Sequence, residues 1–156
     1  MTTQSSNIER ADGAFVWPVR VYYEDTDAGG VVYYANYLRF MERARTEWLR
    51  CLGFDQDRLA RERGLLFAVR SVTLDYLLPA RLDDELEVSA SMQAPGRASI
   101  RFAQAVVRVS GPTGPELLTR GEVKIACLDA GDFRPRSIPD DILKALSAPE
   151  AETRER

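Results

Sequence analysis

A chain of 156 residues, 45% hydrophobic and 29% charged, has the balance of one globular domain and is long enough to bury a real core. The net charge is −3 with basic residues dispersed among acids, which gives no nucleic-acid footprint, and no stretch approaches the roughly twenty consecutive apolar residues of a membrane span. Histidine is absent, which excludes Ser-His-Asp and Cys-His nucleophile activation, His-ligated zinc and imidazole acid–base chemistry together.

Cys51 and Cys127 lie far apart without metal-type spacing, and "MTTQSSNIERADG" lacks the apolar core of a secretory signal. A cytoplasmic protein is expected, with both cysteines reduced and buried as small hydrophobes. Residues 1–14 and 147–156 are polar and aperiodic, so loosely ordered ends are expected around one domain over 15–146.

The first element, "VWPVRVYY", alternates Trp17, Val19, Val21 and Tyr23 on one side, the period of a strand. An acidic turn, "EDTDAGG", follows. "NYLRFMERARTEWLRCLG" then spaces Tyr37, Met41, Ala44, Trp48 and Leu52 three or four apart, a helical stripe flanked by Leu38, Arg45 and Leu49. Gly53 stands where a left-handed C-terminal cap would fall. "DQDRLARERG" predicts a short helix ending at Gly64. Four strands follow: "LLFAVRSVTLDYLL" up to Pro79, "RLDDELEVSASMQ", "RASIRFAQAVVRVS" and "LLTRGEVKIACLD". The third turns Ile100, Phe102 and then Ala105 or Val106 inward. "IPDDILKALS", with proline near its start, predicts a short final helix. Hairpin-length connections make the sheet mostly antiparallel, an α+β layer architecture with the long helix on the concave side.

The acidic turn admits four readings. The plainest is a solvated strand-to-helix turn in which Asp25, Thr26 and Asp27 satisfy backbone groups. A calcium loop counted from Asp25 fails, because its fifth position is Gly29 and its twelfth is Asn36. A magnesium site on Asp25 and Asp27 lacks an accompanying phosphate-binding glycine loop. The fourth is a carboxylate at the mouth of a helix. There the glycines admit a ligand, unpaired N–H groups polarise a carbonyl, and the carboxylate attacks it or activates water. That chemistry needs no histidine.

"WPVRVYYEDTDAGGVVYYANYLRFMERARTEWLR", together with "PARLDD", resembles the first strand, active-site loop and central helix of hotdog-fold acyl-CoA thioesterases. The family is that of 4-hydroxybenzoyl-CoA thioesterase, and the nearest branch is the Tol–Pal-associated one. The resemblance spans roughly Trp17 to Pro139. It implies a long helix wrapped by a curved antiparallel sheet, in homodimers or homotetramers with active sites between protomers. It also implies hydrolysis of short-to-medium-chain or aromatic acyl-CoA to free acid and coenzyme A, with acyl carrier protein as an alternative carrier and no cofactor or metal.

Carried over by position, the resemblance makes Asp27 the catalytic aspartate, nucleophile or general base, and the Tyr34 backbone N–H the group that polarises the thioester carbonyl. Gly30 and Val31 border the pocket, and Tyr37 is a candidate for shaping its acyl part. "APGRAS" matches the loop that touches the nucleotide, nominating Arg97 and Ser99, with Arg136 a further candidate. Many members of the Tol–Pal-associated branch carry histidine where this chain has Tyr34. Asp25 is then a turn-building group, Glu24 points elsewhere, and Asn36 is the expected N-cap of the long helix. Two rivals stand beside this reading: a non-catalytic module binding acyl-CoA or acyl carrier protein, and a hotdog dehydratase, whose chemistry relies on histidine.

Overall fold

The chain's β-branched and aromatic runs form five strands: β1 (Phe15–Arg20), β2 (Leu65–Tyr76), β3 (Glu85–Met92), β4 (Ser99–Arg108) and β5 (Glu116–Asp129). They join in one antiparallel sheet in the order β1-β3-β4-β5-β2. Three helices accompany it: α1 (Asn36–Cys51), α2 (Gln56–Arg63) and α3 (Asp140–Ser147). The computed structural model describes residues 14–112 and 114–148, so the ends expected to be loosely ordered lie almost wholly outside the described residues. Fold class and element order agree with the sequence reading.

Register explains why α1 has a floor to lie on. Val88 pairs with Val106, Phe102 with Val123 and Ile100 with Ile125, so the inward positions of β3, β4 and β5 fall in continuous apolar rows. On the helix, Tyr37, Phe40, Met41, Ala44, Trp48 and Leu49 are buried. Phe40 and Met41 are fully enclosed, each worth about 1.5–3 kcal/mol relative to exposure. Trp48 stacks on Phe15 at 6.0 Å and meets Phe102 edge-on at 5.8 Å, tying the far end of α1 to β1 and β4.

The helix ends follow the expected chemistry in part. Asp55 Oδ1 accepts the N–H groups of Asp57 and Arg58 at the start of α2, and Gly64 ends that helix in the left-handed region at φ +66°. Gly53, at φ +96°, follows the last turn of α1. Asn36 is not the N-cap of α1. That place falls to Ala35, and Asn36 is the first helical residue, its side chain drawn to the acidic turn instead. β1 stops at Arg20 because the chain then coils into one 3-10 turn over Tyr23–Asp25, which leaves Tyr23 82% exposed instead of facing inward. Cys127 is buried as expected, but Cys51 is exposed, since it falls at the end of α1 beyond the buried stripe.

Candidate active site

The acidic turn is built by its own backbone. The N–H of Tyr22 donates to Asp25 Oδ2 at 2.8 Å, and the N–H of Asp25 donates to Tyr22 O at 3.0 Å, closing the 3-10 turn. The main chain then folds back on itself. Asp27 N–H donates to Val31 O, Gly30 N–H donates to Asp27 O, and Gly29 N–H donates to Asp27 Oδ1 at 2.8 Å. Gly30 adopts φ +81°, a conformation that side chains rarely take, and a side chain at Gly29 would crowd Asp27 Oδ1. The outcome separates the three acids. Asp25 is buried and spent on the turn, whereas Glu24 and Asp27 are exposed. Asp25 and Asp27 aim their bonded oxygens at different backbone donors, so the two do not converge on a shared cation.

This turn is fastened on both sides. Asp25 O accepts the Tyr33 N–H at 3.0 Å and the Asn36 Nδ2 at 2.8 Å, which locks the turn to the first residue of α1. On the other side, Val32 N–H donates to Ala80 O at 2.9 Å, while Ala80 N–H donates to Tyr37 Oη at 3.0 Å. Loop, helix entrance and the connection from β2 to β3 therefore form one unit. At the entrance, the Tyr34 N–H has no hydrogen-bond partner among the described residues. It is a free donor at the positive end of a 16-residue helix.

An aromatic wall stands next to it. Tyr34 meets Tyr33 at 5.1 Å and Tyr76 at 6.1 Å, and Tyr76 in turn lies 5.6 Å from Tyr37, which packs on Phe40. Tyr76 also donates from its hydroxyl to Tyr34 O at 3.1 Å, fixing the peptide that follows the free N–H. Burial pushes both the Tyr37 and Tyr76 phenols above their ordinary value, so both stay neutral near pH 7. Sequence reasoning missed Tyr76. Its only signal was an aromatic residue at the end of a long strand. Tyr37 proves to be both core and brace.

Arg97 and Ser99 lie at the turn from β3 to β4. Arg97 is exposed, with Nε 3.4 Å from Ser137 Oγ. Arg136 is half-buried: its Nη1 donates to Arg63 O at 3.1 Å and to Gly64 O at 2.9 Å, and stands 3.8 Å from Asp129 Oδ2. It braces the end of α2 against β5. The acidic turn borders the start of β3, through Val21 and the Asp83–Asp84 backbone, whereas Arg97 lies past the strand's other end. Eight strand residues at ~3.3 Å each put the two groups about 25 Å apart within one protomer.

A single antiparallel sheet packed on one long helix, with the acidic turn at the helix mouth, is the arrangement of a hotdog-type domain. Residues 21–146 match the family described as the thioesterase-like superfamily, and the chain belongs to it. It is 46% identical over 135 residues to the acyl-CoA thioesterase YbgC of Haemophilus influenzae, covering 86% of this chain and 96% of that protein. The acyl-CoA thioester hydrolase YbgC of Escherichia coli O6:H1 is 47% identical over 129 residues, covering 83% and 92%. A crystal structure of 4-hydroxybenzoyl CoA thioesterase with 4-hydroxybenzoyl CoA superposes with a TM-score of 0.79 at 23% identity, covering 86% of this chain and 99% of that one, and supports the fold.

Proposed function

We propose that this protein is an acyl-CoA thioester hydrolase in which Asp27 and the Tyr34 N–H act on the two ends of the same carbonyl. The observation that carries the reading is the pairing of an exposed carboxylate with a free helix-entrance N–H, held in one hydrogen-bonded unit. The thioester oxygen sits on the Tyr34 N–H, where charge developing in the tetrahedral intermediate is stabilised by the donor and the helix dipole. Asp27 either attacks the carbonyl carbon, giving an anhydride that water then opens, or takes a proton from the attacking water. In both routes the C–S bond breaks, one water is consumed, and coenzyme A leaves as a thiolate that gains a proton. Water oxygen enters the acid directly in the general-base route, and enters the acid or Asp27 in the anhydride route, according to which carbonyl the water attacks. A thioester has weaker ground-state resonance than an ester, so a carboxylate suffices.

Two protomers complete the site in this reading. β2 is an edge strand of 12 residues, paired only with β5, and it exposes Val69, Val72 and Tyr76. Long edges of this kind invite pairing with a second copy. Antiparallel pairing about the middle of β2 sets the Tyr76 end of one protomer against the Leu65 end of the other. The 25 Å gap then closes, because Asp27 of one protomer approaches the Arg97 end of its partner, with Arg97 and Ser99 reaching the nucleotide phosphates. Arg136, partly exposed and held by carbonyls through Nη1, is a further candidate at that end. Gly30 and Val31, with Tyr33, Tyr34 and Tyr76, narrow the entrance and favour short-to-medium or aromatic acyl groups. Acyl carrier protein is the alternative carrier, a homodimer or a pair of dimers the assembly, and the cytoplasm, where coenzyme A thioesters are found, the setting.

Release of free coenzyme A from a panel of acyl-CoA thioesters tests the hydrolase. Turnover supports it. Tight binding of the same thioesters without thiol release, on coenzyme A and acyl carrier protein alike, would favour the binding module.

A further inference from the structure

A second feature lies outside the aspartate turn. A cavity of about 140 Å³ opens under α1, floored by Phe67, Ile100, Phe102 and Ile125 and closed by Ile142 and Leu146 of α3. Its rim is polar and internally bonded: Gln56 donates to Thr46, and Thr46 donates to Glu42. Arg45 enters the same cavity. Its Nη1 donates to Gln104 Oε1 at 2.9 Å, and Gln104 is fixed in turn by Met41 O and Ser89 O. Since Gln104 is only 3% exposed, the guanidinium reaches the inner wall. A guanidinium carries five donors, and that one bond is the only one Arg45 makes among the described residues. An apolar cavity whose inner wall holds surplus cationic donors is shaped for an apolar chain ending in an oxygen.

We propose that this cavity receives the acyl chain, and that Arg45 selects short acyl groups carrying a hydroxyl or keto oxygen near their far end. The inference rests on the hydrolase reading. Pairing through β2 brings the partner's Asp27 toward the Phe67 end, where Phe67 and the exposed Val69 line the cavity. An apolar cavity of about 150 Å³ holds a benzene ring, so this one takes roughly six heavy atoms. The Glu42 carboxylate lines the same cavity as Arg45, so an entering carboxylate meets a like charge that a hydroxyl or keto oxygen does not, and the oxygen proposed is uncharged.

The test compares kcat/KM for hexanoyl-, 6-hydroxyhexanoyl-, adipoyl- and decanoyl-CoA in wild type, Arg45→Met and Arg45→Lys, with folding checked by thermal melting. Wild type should favour 6-hydroxyhexanoyl over hexanoyl and over adipoyl. Arg45→Met should lower the hydroxyl preference by roughly ten- to a hundred-fold, the worth of a hydrogen bond to a charged group, and Arg45→Lys should lower it less. Leu146→Phe, which fills the cavity from α3, should shift the optimum to shorter chains. Equal wild-type rates on the hydroxylated and plain chains, or a preference for decanoyl or adipoyl, would overturn the proposal while leaving the hydrolase intact. Absence of wild-type turnover on all four chains would instead remove the hydrolase reading beneath it, and full turnover in Asp27→Asn would remove only the role given to Asp27.

Discussion

Tyr37→Phe isolates one oxygen atom that links the core to the candidate site. The Tyr37 hydroxyl accepts the Ala80 N–H at 3.0 Å, and Ala80 is fully buried. Its carbonyl holds the Val32 N–H of the turn. Phenylalanine preserves the ring contacts with Phe40 and Tyr76 but leaves a buried backbone donor without an acceptor. Such an orphan costs about 1–3 kcal/mol. For a chain of this size, ~1 kcal/mol moves the melting midpoint by about 2–4 °C, so a drop of roughly 2–12 °C is expected. Circular dichroism melts at one fixed protein concentration measure it. Because the same residue, through its carbonyl, anchors the turn, kcat should fall along with Tm. A midpoint within about 1 °C of wild type would show that water or a local shift satisfies Ala80, and the claim that Tyr37 braces the turn would fail.

Further expectations concern other parts of the scaffold. Asn36→Ala removes the side-chain bond to Asp25 O but leaves that carbonyl its Tyr33 partner, so stability should fall by only about 1 kcal/mol. Its kcat should drop by about ten- to a hundred-fold, because the aspartate turn loses its tie to the helix; unchanged kcat in steady-state assays would refute that tie. Gly121→Ala drives a methyl into the backbone of Thr73 and Leu74 on β2, and should cost at least ~1–3 kcal/mol and loosen the edge proposed to dimerise. Size-exclusion chromatography with light scattering, unchanged from wild type, would contradict the latter. In Asp141 the bond from Arg63 holds the carboxyl below the usual carboxylate range. Its contribution is present above the ordinary carboxylate value and lost as pH falls through the depressed one. The Tm gap between wild type and Asp141→Asn should therefore close in acid, and a gap that persists there would count against the pair. Both partners are largely exposed, so the gap should be small and shrink with salt.

Local periodicity made most of the fold legible. The α1 stripe buries as its spacing predicts, and the alternation of Ile100, Phe102 and Val106 survives because one face of β4 rests under α1. What escaped depends on contacts distant in sequence. The pattern in β4 passes through Gln104, whose inward side chain makes sense only against partners distant in sequence: Met41 O, Ser89 O and Arg45. Asn36 carries a capping side chain, yet its amide serves the Asp25 carbonyl, 11 residues back, as a donor through Nδ2 and not the helix end as an acceptor. The aspartates differ by burial, which composition alone could not assign; the family resemblance singled out Asp27, and the hydrogen bonds explain why Asp25 is unavailable. Arg136 reads as a surface cation in sequence, and only the meeting of α2 with β5 gives it carbonyl partners.

Whether Asp27 performs chemistry at the mouth of α1 is decided by one paired measurement. Coenzyme A release and thioester affinity are determined for wild type and Asp27→Asn on the best substrate of the panel, with the signal of the exposed Cys51 subtracted. Asparagine keeps the oxygen that accepts the Gly29 N–H, so the turn should persist. A Kd within a few-fold of wild type and a kcat lowered by at least about a hundred-fold are expected if Asp27 reacts. A variant that binds and turns over like wild type would contradict that role.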